Sequence, residues 1–398
     1  MADIRYYLKE KEKREQMQAG YKEKIVRHKL TSFYRILLVV AVLIALTVII
    51  VVRYKRHIYT DYDLVSSVER ESTHGARDLR LGNAVLTYSK DGAHCTDATG
   101  RVVWNQTFEI QDVQISVSGS TVAIGDYNGR SIYIANSEKL LGEITTTMPI
   151  RAISVSQAGY VTAVLADTDI ARINMYNLKG ELLYEGKASM DESGYPVAVC
   201  MSPGGELLCV SYVYVDAGVL KSNVAFYNFQ SIGDNKNDNM VSIWIYTDTL
   251  MPYVQFMNDE TSFAVGDNRL TIFSGGHIPA PLVEHLLDRE IRSVFYNDRY
   301  IGLVYSAEDG ENQYQLDVYT ISTEKPKSFY FDMDYTDIYF GKSDFVIYNE
   351  TECMIMTMDG IEKFRGAFPK SVSLMLSAGN TYKYILVTDD SIDTIRLK

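Results

Sequence analysis

A closed ring of small antiparallel sheets, set behind one apolar helix, is what this 398-residue chain encodes. Three features point there. The run Ile36–Val52 is uncharged and sits between Arg35 and Arg53. A turn glycine followed four residues later by an aromatic recurs at multiples of one interval. Inner-strand-like segments then begin at eight positions, 36 to 57 residues apart, down the chain.

The run comes first. Ile36–Val52 is seventeen residues long and apolar except for Thr47. A membrane-spanning helix needs about 20 mostly apolar residues, because each adds only about 1.5 Å of rise. Phe33 and Tyr34 extend the near side and Tyr54 caps the far side, where amphipathic rings suit a membrane interface. The span is therefore drawn over 36–54. A buried core helix is the competing reading, but basic residues flank both ends of the run. A cleaved signal peptide would need a shorter apolar region and a small-residue cleavage site. Val51-Val52-Arg53-Tyr54-Lys55-Arg56 offers none. An uncleaved signal anchor is the expectation.

Basic residues near the span set its direction. Lys22, Lys24, Arg27, Lys29 and Arg35 precede it, against Arg53, Lys55 and Arg56 after it. The expectation is a single-pass protein of the cell membrane: a basic cytoplasmic tail at 1–35, the helix at 36–54, and an extracytoplasmic domain at 58–398. The whole chain carries a formal charge of −12 although its tail is basic, so the domain beyond the helix is strongly acidic. Such a domain repels nucleic acid and anionic lipid. The polar, helix-favouring tail Ile4–Lys29 can rest on an anionic inner leaflet.

Beyond the helix, short segments rich in Val, Ile, Tyr and Thr alternate with Gly, Asn, Asp and Ser, the pattern of strands and tight turns. Ala84–Ser89, Thr121–Asp126, Tyr160–Ala166, Leu207–Tyr214, Tyr300–Ser306, Phe345–Tyr348 and Lys383–Thr388 are examples. Leu282–Arg289 is the one hint of a helix. Gly100 precedes Trp104, Gly180 precedes Tyr184, and Gly360 precedes Phe364. Glycine admits the positive φ of a tight hairpin, and the aromatic falls on the next strand, where it can cover a neighbouring sheet. The glycines lie 80 and 180 residues apart, close to two and four units of the size of a four-stranded propeller blade.

Inner strands are expected to start near Ala76, Val113, Ile150, Val197, Val254, Ile291, Thr336 and Val372. The last unit has only three strands, and Asp63–Glu71 can supply the fourth, joining the two ends of the ring and removing exposed sheet edges. The prediction is an all-β β-propeller, eight blades favoured over seven, behind a single N-terminal transmembrane helix. The fourth unit is the longest because Gly233–Asn239 is inserted between its outer strands. A pair of β-sandwiches and a β-helix are the alternatives.

The stretch Asp97-Ala98-Thr99-Gly100-Arg101-Val102-Val103-Trp104 resembles the T-G-x-x-x-W repeat of quinoprotein-like propellers, with degenerate copies ending at Tyr184 and Phe364. The layout of basic tail, single span and propeller also resembles a family of membrane-anchored, WD40-like propeller proteins of Gram-positive anaerobic bacteria. That resemblance implies fold and topology and brings no activity with it. The adjacent cysteine pair and stacking tryptophan of cofactor-bearing quinoproteins are not recognisable, so no cofactor is expected.

Motifs for chemistry are sparse. No phosphate-binding glycine loop and no G-x-S-x-G elbow occur in the sequence. His74, His94, His277 and His285 lack metal-ligand spacing, and His285 beside Glu284 reads as a surface pair. Cys95, Cys200, Cys209 and Cys353 form no C-x-x-C; Cys200 and Cys209 can bridge only if strand register brings them opposite, and buried thiols are expected. Asp332–Asp337 and Asp234–Asp238 are acidic loops with a weak likeness to calcium sites, read here as solvated. No catalytic, cofactor or metal residue is assigned. Asn105 and Asn349 each precede a threonine by two residues, as glycan acceptors do. The reading is a non-catalytic binding or scaffolding module at the cell envelope, with an envelope protein or glycan as partner. An enzyme acting on envelope polymers or peptides, and a ligand-sensing single-pass membrane protein, are the alternatives.

Overall fold

The computed structural model describes residues 2–71, 75–166, 170–189, 193–234, 237–322, 325–379 and 382–398. The chain separates into two units, residues 1–58 and 59–398.

The first unit is one helix, Ala2–Lys55. No proline interrupts it, and Glu10 and Arg14 pair across one turn at 3.5 Å. Within it, the 23 residues His28–Ile50 are long and apolar enough to cross a membrane. The one polar side chain of the apolar run is satisfied internally, since the Thr47 hydroxyl donates to the Leu43 carbonyl at 2.8 Å.

The second unit is an eight-bladed β-propeller made of eight separate four-stranded antiparallel sheets. The inner strands are Arg77–Leu81, Val113–Ser118, Ile150–Val155, Tyr195–Met201, Tyr253–Phe256, Ser293–Tyr296, Asp337–Phe340 and Val372–Ser377. All eight starts fall within two residues of those read from the sequence. The sandwich, β-helix and seven-blade alternatives are excluded. Second strands are the most buried, and Val161–Ala166 is buried at every position. The cores lie between blades: Val164, Ile173 and Met175 of blade 3 pack with Leu208, Val210 and Ala225 of blade 4. Each such side chain contributes about 1.5–3 kcal/mol by leaving water.

The glycine turns work as expected. Gly100, Gly180 and Gly360 have φ of 82°, 77° and 84°, a region that a Cβ disfavours. The paired aromatics reach across to the following blade. The Trp104 indole donates to the Asn136 carbonyl at 2.7 Å. Tyr184 donates to the Asp238 carbonyl at 3.3 Å. Phe364 meets the ring of Tyr62 edge-on at 6.1 Å.

Leu282–Arg289 is not helical. Ala280–Leu286 is the outer strand of blade 5, and its exposure alternates with period two, as a strand's must. Pro281 fits there because an outer strand has a free edge and the ladder shifts register at Phe273.

Closure mixes the two ends of the propeller. Tyr62–Glu69 pairs antiparallel with Ser391–Leu397 and completes blade 8. Directly after this strand, Arg70 forks onto Asp78 of blade 1 with both contacts at 3.1 Å. Asp78 also accepts from the Thr87 hydroxyl at 2.6 Å and from the Ser373 hydroxyl on the inner strand of blade 8. The Asp78 side chain is only 5% exposed. Removing one partner of a buried, hydrogen-bonded pair leaves the other charge stranded. Asp78→Ala is therefore expected to lower unfolding stability by about 3–5 kcal/mol. Lys370→Ala, which breaks the solvent-exposed bridge to Asp390, should leave the urea midpoint almost unchanged, because water and salt screen the pair. Urea midpoints of the two variants against the parent chain check this ordering.

Candidate functional site: the central channel

Inner strands of blades 1 to 7 line two cavities on the axial side of the ring, of about 640 and 520 Å³. Both are ligand-sized. Arg80, Val117 and Tyr296 line both cavities, so the two adjoin. The wall is sided. Blades 2 to 4 contribute Ile115, Val117, Ile153 and Val199, all half-buried. Blades 5 to 7 contribute Tyr253, Tyr296 and Tyr339. Inner strands are short and pack side chains alternately between blades, so the channel receives the remaining faces.

The polar groups of the channel divide by how well they are engaged. Asp337 accepts from the Ile338 amide at 2.8 Å and from the Tyr348 hydroxyl at 3.3 Å. Burial pushes its carboxyl up from the usual carboxylate range, partly opposed by those two donors. Burial likewise pushes the Tyr296 phenol up to about 12. Tyr339 has a buried hydroxyl with no hydrogen-bond partner among the described residues. Its phenol lies well above the ordinary range because of desolvation. Arg80 donates from Nε to the Gly82 carbonyl at 3.0 Å and forms no salt bridge among the described residues.

A second cluster sits where blade 5 hands over to blade 6. Arg289 donates to Gln315 at 2.8 Å and to Asp317 at 3.1 Å, and lies 4.3 Å over the ring of Tyr305. This group is fully paired, so it binds blades together rather than a ligand.

The acidic segment Asp332–Asp337 is dispersed by the fold. Asp332 meets Arg365 at 2.9 Å, Asp334 accepts from Tyr314 at 2.9 Å, and Asp337 turns toward the channel. No group of three or more His, Cys, Asp or Glu among the described residues is placed to hold a metal. The loop Asp234–Asp238 lies partly, and His74 wholly, outside the described residues. The surface pairing of His285 with Glu284 is not formed, because neighbours on a strand face opposite ways. Glu284 meets Arg269 at 3.2 Å, while the half-buried His285 ring lies 4.8 Å from Tyr319. Asn105 is exposed on its outer strand. The Asn349 carboxamide is tied into its own turn, accepting from the Thr351 and Glu352 amides at 2.8 and 2.9 Å.

All four cysteines are buried and free. Cys200 and Cys209 do lie directly opposite each other in register. Burial pushes the Cys209 thiol well up, Cys95 up to about 11 and Cys353 up to about 12. Burial of the thiols is as expected from the sequence, whereas the register that sets Cys200 opposite Cys209 was not legible from spacing alone.

The fold and channel define a single-chain, eight-bladed propeller with a ligand-sized axial cavity. The chain belongs to the family of unknown function DUF5711, whose model matches residues 54–397. No curated protein matches it in sequence. Among solved structures it is similar to Sqt1 of Chaetomium thermophilum, with TM-score 0.54 and 12% identity over 84% of this chain and 98% of that one. Sqt1 of Saccharomyces cerevisiae gives TM-score 0.51 and 12% identity over 86% and 99% of the two chains. BamB of Moraxella catarrhalis gives TM-score 0.50 and 10% identity over 84% and 100%. At such identities the likeness is one of fold.

Two outcomes are expected. Deleting an unpartnered buried hydroxyl is neutral or stabilising, so Tyr339→Phe should leave the urea midpoint unchanged or raise stability by about 1 kcal/mol. Because the thiolate is the nucleophile, a maleimide at neutral pH should label no cysteine in the native chain and label all after denaturation, as read by mass spectrometry.

Proposed function

We propose that this chain is a non-catalytic binding or scaffolding module. In this reading the helix at 36–54 anchors it in the cell membrane, with the tail at 1–35 cytoplasmic and the propeller at 58–398 extracytoplasmic. The uncharged apolar run and the basic bias before it support the anchor. The stiff ring, with its broad faces, supports the module.

One observation carries the binding role. The second and third strands of blade 4, Leu207–Asp216 and Val219–Asn228, are ten residues each, longer than their counterparts elsewhere in the ring. Ala217 and Gly218 turn the hairpin with φ of 50° and 80°, the signature of a tight two-residue turn. Val215 faces Leu220 across the ladder, and Val219 faces Asp216 on the other side. Val215, Val219 and Leu220 remain 58%, 52% and 46% exposed. Apolar residues bare on both faces of a hairpin mean that it stands clear of both neighbouring blades. Ile243 and Ile245 on the adjoining outer strand are exposed as well. Contiguous bare aliphatic surface on a soluble domain marks a contact site. It suits an apolar polypeptide surface at the envelope better than a glycan, which needs polar partners.

The test is crosslinking in intact cells followed by capture of the tagged chain. Three forms are compared: full length, the propeller deleted after His57, and Val219→Asp combined with Leu220→Asp. A defined envelope protein should be captured by the first and lost from both others, while the double variant keeps its urea midpoint. Equal capture by the double variant removes the hairpin from the interaction, and equal capture by the deleted form removes the propeller.

A further inference from the structure

We propose that Cys200 and Cys209 are a covalent modification site, closing into a cross-strand disulfide when the chain folds in the presence of a disulfide oxidant. The first support is register. The two residues face each other on the inner and second strands of blade 4. Facing residues on antiparallel strands have Cα atoms about 4.5–5.5 Å apart, inside the window of about 4.4–6.8 Å that a disulfide spans. Both side chains enter one core, with Leu207, Val224, Phe226 and Met251. Burial first, and then the neighbouring Cys200 thiol, push the Cys209 thiol up, so the two sulfurs interact directly. The other two cysteines stand apart. Cys95 lies in the core of blades 1 and 2, and Cys353 in that of blades 7 and 8. Among the described residues, Cys200 and Cys209 are the one pair that the fold brings together.

The second support is the turn between them. The Ser202 amide donates to the Leu207 carbonyl at 2.9 Å, and the Leu207 amide donates to the Ser202 hydroxyl at 3.1 Å. The Gly205 amide donates to the Ser202 carbonyl at 2.9 Å, with Gly205 at φ 81°. These contacts are local, so the hairpin itself sets the register of the two cysteines, two rungs beyond Ser202 and Leu207. A hairpin forms in about 1–10 μs, whereas disulfide formation takes seconds or longer. The core that covers the thiols needs Val254, Phe256 and Phe273 of blade 5, which follow in the chain. The pair is therefore aligned while it is still open to an oxidant. One cysteine thiolate attacks the S–S bond of the oxidant and displaces a thiolate from it; the second attacks the mixed disulfide and displaces the other. The cysteines give up two electrons and two protons, and the oxidant leaves as two thiols. Blade 5 then covers the bridge, which ties the long second strand Leu207–Asp216 to the inner strand near its base.

The pairing does not depend on the hairpin tip being a contact site, so each reading stands or falls by its own experiment. The full chain is synthesised cell-free into phosphatidylcholine nanodiscs, once in a mixture of glutathione disulfide and reduced glutathione and once in reduced glutathione alone. Each product is quenched with acid, unfolded in urea, labelled with a maleimide at neutral pH and digested with trypsin. Both cysteines fall on one tryptic peptide, 188–221. In the reducing arm all four cysteines take the label, as expected above for free thiols. In the oxidising arm peptide 188–221 should carry no label and be lighter than the dithiol by two hydrogens, while Cys95 and Cys353 are still labelled. The oxidised chain should also unfold at a higher urea midpoint than the reduced one, because the bridge restricts the unfolded chain. Label on both Cys200 and Cys209 in the oxidising arm would overturn the proposal, as would glutathione left on either of them or a bridge from either to Cys95 or Cys353. A bridge that forms without raising the midpoint would overturn its place in the native fold.

Discussion

The ring exists as a ring because Tyr62–Glu69 lies along Ser391–Leu397. Seven blades are built from contiguous chain, and each could form its ladder locally. The eighth requires residues more than three hundred positions apart to meet, the long loop closure that folding finds most costly. Its polar clasp reflects that demand. Arg70 follows the closing strand, Asp78 opens blade 1, and Ser373 belongs to blade 8. One carboxylate therefore reads whether all three segments are in place. The clasp specifies closure more than it adds stability, since burying charge is costly in itself.

Closure has a geometric consequence for the inner surface. Once eight inner strands face a common axis, their remaining side chains meet in a passage that none of them builds alone. Aliphatic residues of blades 2 to 4 and tyrosines of blades 5 to 7 come to line adjoining cavities. Elsewhere the ring spends its polar groups on itself. Arg289 cements blades 5 and 6, and the acidic run after Phe331 is divided between Arg365, Tyr314 and Tyr348.

Blade 4 departs from the repeat in a different way. Its extended hairpin adds no core, because both faces at the tip are bare. The repeating unit has already satisfied its neighbours by Leu207–Val210, where burial is complete. What lies beyond is surplus to the ring and available to something outside it.

The sequence by itself favoured eight blades over seven and marked the place of every inner strand and the closing strand, and the tertiary structure decided the count. Those follow from local physics: period-two alternation, turn glycines at positive φ, and an aromatic four residues on that must cover the next sheet. The apolar helix was legible for the same reason, as a run of residues that read one after another. Leu282–Arg289 was misread because a short apolar segment fits either period, and only its edge position between Thr271 and open solvent settled it as a strand. The register that sets Cys200 opposite Cys209, and the dispersal of Asp332, Asp334 and Asp337, belonged to the tertiary structure. Register, blade rotation and ring closure bring together residues from strands far apart in the chain, and no spacing along a single chain encodes which of them will be left without a partner.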